Sequence, residues 1–193
     1  LERQKIWKVL PAPETSERRI GVLGLGALGS DTARKVAALG FAVAGWSRTE
    51  KRIDGVTSFH GASQLTAFLN RTEILCCLLP LTPATEDLIN AEALAALPKG
   101  AFVINAGRGQ HVVDADLLAA LDSGHIAGAA LDVFHQEPLP TEHPYWEHPN
   151  VMVWPHMSAQ SNADSAAEQV ADGIRKVFSG GDPNNQVDRE RQY

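Results

Sequence analysis

Gly24-Leu25-Gly26-Ala27-Leu28-Gly29 constrains this chain more than any other segment. It follows Ile20 to Leu23, a short apolar run of the kind that makes a buried parallel strand. It opens residues 27–39, which have helical spacing and stop at Gly40. A glycine pattern of this type is weak evidence alone. Between a strand and a helix it reads as a phosphate cradle. Gly24 permits the tight turn, Gly26 lets the backbone approach a pyrophosphate, and Gly29 lets the helix pack close to the strand. The start of the helix offers unpaired N–H groups and positive partial charge. A plain glycine-rich turn is the bland alternative, and the strand–helix setting argues against it.

The alternation continues along the chain. Strands are expected at 41–46, 73–79, 101–106, 127–134 and 151–154, and helices at 62–69, 91–97, 114–124 and 158–180. Strands alternating with helices predict an α/β fold, a doubly wound parallel sheet with helices on both faces. Together with the glycine cradle, this predicts a Rossmann-type NAD(P)-binding domain. Residues 1–18 are polar, carry Pro11 and Pro13, and read as a helix end followed by a linker. The 193 residues suffice for one full domain with flanking elements.

Composition excludes some partners. The net charge is −6 and no dense basic stripe is present, which argues against nucleic acid and anionic membranes. No apolar run approaches the length of a membrane span. Cys76 and Cys77 are adjacent in an apolar run, so they point to opposite faces of a strand and are not expected to form an ordinary disulfide. A reducing, cytoplasmic setting is expected. No Cys/His cluster has zinc-ligand spacing, so no metal is expected.

The second expected strand ends Trp46-Ser47-Arg48-Thr49 without a carboxylate at its tip; Glu50 comes later. An NAD-binding unit usually places an acidic residue there for the ribose 2′-hydroxyl. Arg48 suits a 2′-phosphate instead, with Ser47 as a donor and Lys51 or Arg52 in support. NADP(H) is therefore expected, with NAD(H) as the alternative. In that alternative Arg48 is a solvated surface residue and Glu50 binds the ribose.

Loops that follow strands are where ligands bind in open α/β sheets. Asn105-Ala106-Gly107-Arg108-Gly109 supplies an arginine, 131–139 supplies Glu137, and 154–159 supplies His156. The set suits reduction of a 2-keto acid. A guanidinium fork holds a carboxylate and polarises the keto oxygen as charge grows there. An imidazolium delivers the proton the alkoxide needs. A neighbouring carboxylate orients the ring and favours its charged form. Arg108, His156 and Glu137 are assigned these roles in that order. Taken singly, each is more simply a surface charge or a capping residue. The remaining histidines, 60, 111, 125, 135, 143 and 148, read as surface or structural.

These segments resemble the D-isomer-specific 2-hydroxyacid dehydrogenases. The matching stretches are GLGALG, PLTPAT (80–85), NAGRG, ALDVFHQEPLP (130–140) and PHMSA (155–159). Within that family, WSR at 46–48, HPYWEHPNV at 143–151 and the ending QVDRERQY are most similar to members that reduce glyoxylate and hydroxypyruvate. The resemblance implies catalytic roles for Arg108, Glu137 and His156. It also implies cofactor contacts from Gly24, Gly26 and Gly29, from the backbone of Ala27 and Leu28, and from Trp46, Ser47 and Arg48. Further contacts fall to Leu79, Pro80, Ala106 and Gly107, and to Asp132 near the nicotinamide amide. It implies a homodimer joined through the nucleotide-binding domain.

Family members carry a substrate domain built mainly from the N-terminal part of the chain, and here it is expected to be largely missing. The division then reads as a linker or helix end over 1–18, the Rossmann domain over 19–157, and a C-terminal helix and tail over 158–193 returning toward the substrate domain. An exposed apolar patch is expected. Alternatives are a broader D-2-hydroxyacid or phosphoglycerate-type NAD dehydrogenase, and a nucleotide-sensing binding protein without turnover.

Overall fold

A computed structural model describes residues 5, 7, 8 and 13–187. Most of the expected N-terminal helix end and the last residues of the tail lie outside the described residues. In chain order the elements are β1 (Arg19–Leu23), α1 (Ala27–Ala38), β2 (Ala42–Ser47), β3 (Val56–His60), α2 (Gly61–Asn70), β4 (Ile74–Cys77), α3 (Ala91–Ala96), β5 (Ala101–Asn105), α4 (Asp114–Asp122), β6 (Ile126–Leu131), β7 (Val151–Val153) and α5 (Ala163–Phe178). The strands form one seven-stranded sheet, ordered β3-β2-β1-β4-β5-β6-β7, in which every pairing is parallel. From β1 the chain builds outward to β3, then returns to β4 and builds the other way. The loops after β1 and β4 therefore diverge and leave a crevice at the carboxyl edge of the sheet.

The burial pattern follows from strand geometry. Consecutive side chains point to opposite faces, so Leu23 joins the larger core while its neighbour Val22 joins the smaller one. The larger core holds Phe68, Leu75, Leu94, Val103, Leu117 and Ile126; the smaller holds Leu25, Ala33 and Val43. Cys76 and Cys77 divide between faces in the same way, and both are free thiols. Burial pushes Cys76 up to about 11 and Cys77 up to about 12, so neither supplies a thiolate at neutral pH.

One strand, β3, is absent from the sequence expectation, and β4, β6 and α5 show instructive differences in their bounds. β3 lacks a long apolar run: Thr57 and Ser58 interrupt it, and it survives as an edge strand. β4 stops at Cys77, two residues short of the expected end. β6 stops at Leu131, because the loop from Asp132 turns to meet the segment after β7. α5 begins at Ala163 rather than Ser158, since Asn162 is its N-cap and accepts a bond from Ser165 N at 3.0 Å. α5 buries none of its residues, and Val170, Ile174, Val177 and Phe178 are exposed along it, as the expected apolar patch requires.

Tyr145 pins the segment before β7 onto α4. It is 1% exposed and its hydroxyl donates to Asp114 Oδ1 at 2.9 Å. Tyr145→Phe is expected to lower unfolding stability by about 1.5 kcal/mol, the low end for a hydrogen bond to a charged group. Urea denaturation checks it, and an unchanged midpoint would mean the hydroxyl contributes nothing.

Candidate active site at the carboxyl edge of the sheet

The glycine turn after β1 has the geometry of a cradle. Gly24 has φ 97°, and its N–H donates to Trp46 O at 2.8 Å. A Cβ on Gly29 would lie 1.7 Å from Gly24 O, so only glycine lets α1 begin this close to the turn. Gly26 differs from both: a Cβ there would meet nothing within 4 Å. Gly26, Ala27 and Leu28 are exposed, and the first turn of α1 has no intrahelical partners for its N–H groups. Open space over Gly26 beside those donors fits an anionic diphosphate.

At the tip of β2, Arg48 is exposed and no carboxylate stands in its place. Ser47 Oγ donates to Thr49 O at 2.7 Å, which holds the turn. Glu50 faces Arg52 at 3.6 Å. Trp46 is turned inward: it is 8% exposed, and Nε1 donates to Gly61 O at 2.9 Å. The indole thus fixes the end of β2 as part of the core. Across the crevice, Leu79 is buried and Pro80 is exposed.

The loop after β5 holds the arginine. Asn105, 1% exposed, accepts from Gly107 N at 3.1 Å and donates Nδ2–H to Arg108 O at 2.9 Å. Ala106 N donates to Cys77 O at 3.2 Å. Gly109 packs so closely on the next loop that a Cβ would lie 2.0 Å from the Phe134 carbonyl carbon. Arg108 itself is exposed, with Nη1 donating to Gly107 O at 2.6 Å.

The loops after β6 and β7 bring the other two predicted residues together. His156 Nδ1 lies 2.7 Å from Glu137 Oε2. Phe134 N donates to Glu137 Oε1 at 2.9 Å, which aims the carboxylate at the ring. Partial burial works to raise the Glu137 pKa. The His156 and Phe134 bonds and the charges of His156 and Arg108 outweigh it and hold the carboxyl below its ordinary value. The pull of Arg108 on Glu137 places all three predicted groups within electrostatic reach. His156 has φ 50°, and its N–H donates to Asp132 O at 2.9 Å.

Asp132 has a contact that its position in the sequence does not reveal. It is 6% exposed; Oδ1 accepts from Met157 N at 2.8 Å and Ser158 N at 3.1 Å. It therefore holds the histidine segment at two points, by carbonyl and by carboxylate. It also lines a cavity of about 260 Å³ with Asn105, Ala106, Trp154 and Ser158. His111 is the other residue the sequence undervalues. It is 0% exposed, and bonds of 3.0 Å to Arg108 N and 3.3 Å to Pro80 O engage both ring nitrogens. Its neighbours Val112 and Val113 were the signal, since an apolar setting favours a buried ring. Burial, with the Arg108 charge, lowers the His111 pKa against the bonds that oppose it. His125, His135, His143 and His148 hold local structure, bonding Leu94 O, Val112 O, Asp114 and Asp122.

Comparison with known proteins agrees with this geometry. Residues 2–158 match the model of the D-isomer specific 2-hydroxyacid dehydrogenase NAD binding domain. The chain is 44% identical over 192 residues to glyoxylate/hydroxypyruvate reductase A of Yersinia enterocolitica, with all of this chain and 61% of that protein aligned. It is 46% identical over 193 residues to the reductase of the same name from Salmonella paratyphi B, again across the whole chain and 62% of the relative. The chain thus spans about three fifths of those relatives' length. A D-isomer specific 2-hydroxyacid dehydrogenase from Xanthobacter autotrophicus, solved with NADPH and MES, superposes with TM-score 0.97 at 48% identity, over 100% of this chain and 79% of that one. The NADPH-dependent glyoxylate/hydroxypyruvate reductase of Sinorhizobium meliloti, solved with NADP and sulfate, superposes with TM-score 0.95 at 43% identity, over 100% and 62%. The sheet order, the glycine cradle and the matched family model together establish that this chain belongs to the D-isomer-specific 2-hydroxyacid dehydrogenases.

Proposed function

We propose that this chain is the nucleotide-binding and proton-donating part of an NADPH-dependent reductase of small 2-keto acids, with glyoxylate and hydroxypyruvate as substrates and glycolate and glycerate as products. The observation that carries the reading is the His156–Glu137 pair, 2.7 Å apart and within reach of the Arg108 charge, beside a glycine cradle on the same sheet edge. The names of the relatives aligned over the whole chain support the same substrates.

NADPH, when bound, supplies the hydride that reduces the keto carbon. The backbone of Gly24, Gly26, Ala27, Leu28 and Gly29 would receive its diphosphate, Arg48 would receive the 2′-phosphate, joined by Ser47 if its hydroxyl turns away from Thr49 O, and Leu79, Pro80, Ala106, Gly107 and Asp132 would line the approach to the nicotinamide end. Trp46 supports that site from inside the core. Arg108 grips the substrate carboxylate and draws charge onto the keto oxygen. Glu137 takes the Nδ1 proton of His156 as a hydrogen bond, which leaves Nε2 to face the substrate. His156 gives its Nε2 proton to the oxygen as the carbon accepts hydride, so the keto group becomes a hydroxyl. The reading extends to a homodimer in the cytoplasm. The exposed apolar side chains of Trp146 and Met152 support a subunit contact.

Glyoxylate-dependent loss of NADPH absorbance in the intact protein tests the reaction, and no turnover with either keto acid would overturn it. Cofactor choice is tested on the 193-residue chain by titration with NADPH and NADH, followed by nicotinamide fluorescence. NADPH is expected to bind more tightly. Arg48→Ala is expected to weaken NADPH by about 10- to 150-fold, the worth of a hydrogen bond between charged groups, and to leave NADH little changed. Equal loss for the two cofactors would remove Arg48 from the 2′-phosphate site.

A further inference from the structure

His111 is a buried titratable group with no part in the proton transfer described above. An apolar side chain would fill the same space without the burden of two buried ring nitrogens. The ring is nevertheless fully enclosed, and both nitrogens are engaged. Nδ1 lies 3.0 Å from Arg108 N, and Nε2 lies 3.3 Å from Pro80 O.

The partners settle where the ring proton sits. A backbone N–H can only donate, so Nδ1 must be the bare acceptor. A carbonyl can only accept, so Nε2 must carry the proton. Protonation of both nitrogens would set Nδ1–H against the Arg108 N–H. The neighbouring Arg108 charge and the enclosure of the ring oppose that state as well. The surroundings are cut to the ring. A Cβ on Gly107 would sit 2.9 Å from His111 Nδ1, so glycine there makes room for the imidazole. On the far side, His135 Nε2 donates to Val112 O at 3.0 Å, and Gly109 abuts the Phe134–His135 backbone. Thr85 Oγ1 gives Pro80 O a second donor at 2.8 Å. The loops after β4, β5 and β6 therefore meet around one imidazole.

We propose that His111, carrying its proton on Nε2, is the positioning residue that sets the Arg108 backbone against the loop following β4, so that the guanidinium meets a keto acid held at the nicotinamide end of the crevice. The proposal rests on the reading that Arg108 grips the substrate carboxylate. His111 touches neither substrate nor cofactor; it acts through Arg108.

Two measurements test it. The first is independent of activity. Nitrogen-15 NMR of the histidine rings in the 193-residue chain at neutral pH should show His111 as the Nε2–H tautomer. The Nδ1–H tautomer, or a ring averaging between the two, would overturn the proposal. The second compares His111→Ala with His111→Asn in the intact protein. Asparagine carries its amide oxygen where the imidazole carries Nδ1, so it can still accept from Arg108 N. Alanine removes both bonds. Misplacement of Arg108 by a fraction of its reach should lower kcat/KM for glyoxylate by about 10²-fold in His111→Ala. His111→Asn should recover most of that loss. Wild-type kcat/KM in His111→Ala, or His111→Asn no better than His111→Ala, would overturn the assignment. If the wild-type protein reduces no keto acid, the functional reading fails, while the tautomer measurement still decides for or against the hydrogen-bonding scheme.

Discussion

Glyoxylate turnover by the intact protein is expected to fall by about 10²- to 10⁴-fold in His156→Ala, the usual worth of a positioned general acid. NADPH affinity should stay near wild type, because the cradle and the β2 tip lie on other loops. The melting midpoint should fall only slightly, since the His156 side chain is half exposed and the lost ion pair with Glu137 lies near the surface. Glu137→Gln is expected to fall between wild type and His156→Ala. Phe134 N needs an acceptor, so the glutamine amide oxygen must face it, and the amide NH₂ then meets His156 Nδ1. The ring is forced to accept there and resists becoming the imidazolium that gives up a proton.

The pH dependence has a definite sign. Glu137 is held below its ordinary value, so its contribution to the loop is complete above the ordinary glutamate value of about 4.3. That contribution is lost as pH falls through the lower folded value. Thermal unfolding of wild type and Glu137→Gln should therefore differ at neutral pH and converge in strong acid. Near wild-type turnover in His156→Ala would mean that another group donates the proton.

The second large effect separates binding from folding at the glycine cradle. Gly26→Ala should leave the melting midpoint unchanged, since φ is −72° there and a Cβ meets nothing within 4 Å. The new methyl group occupies the space assigned to the diphosphate. A methyl forced into such a contact costs about 1–3 kcal/mol, or about 5- to 150-fold in NADPH affinity. Gly29→Ala should fail differently. Its Cβ would lie 1.7 Å from Gly24 O, so α1 must shift and stability itself falls, by about 3 kcal/mol. NADPH titration and thermal unfolding of both variants decide the matter. If Gly26→Ala binds NADPH as well as wild type, the diphosphate does not rest on that glycine.

What the sequence makes legible follows from which forces are local. Strands β1, β2, β4, β5, β6 and β7 can be read because buried parallel strands are short apolar runs between turn residues. β3 escapes that reading because it is an edge, with Thr57 and Ser58 facing a thinner environment. The glycine cradle is legible because its pattern stands between an apolar strand and a helix, although only Gly29 answers a steric demand from within the motif itself. Arg108, Glu137 and His156 can be named from their segments, and the sheet does gather them at one edge. Distances are another matter. That Asp132 holds Met157 and Ser158, or that His111 spans Arg108 and Pro80, depends on loops brought together from separate strands. No period or spacing in the chain encodes that. The start of α5 differs for a related reason: Asp132 holds the backbone at Met157 and Ser158, and the helix begins only after Asn162, which caps it.

His156 stands at φ 50°, where a side chain with a Cβ is disfavoured by about 1 kcal/mol or more. Glycine at that position would be at ease. The acid role proposed for His156 gives a reason for an imidazole at that position despite the strain. Asp132 makes that compromise sustainable: its carbonyl and carboxylate grip the backbone on both sides of the bend. An aspartate that never meets the substrate would then set how far this site can trade heat resistance for speed.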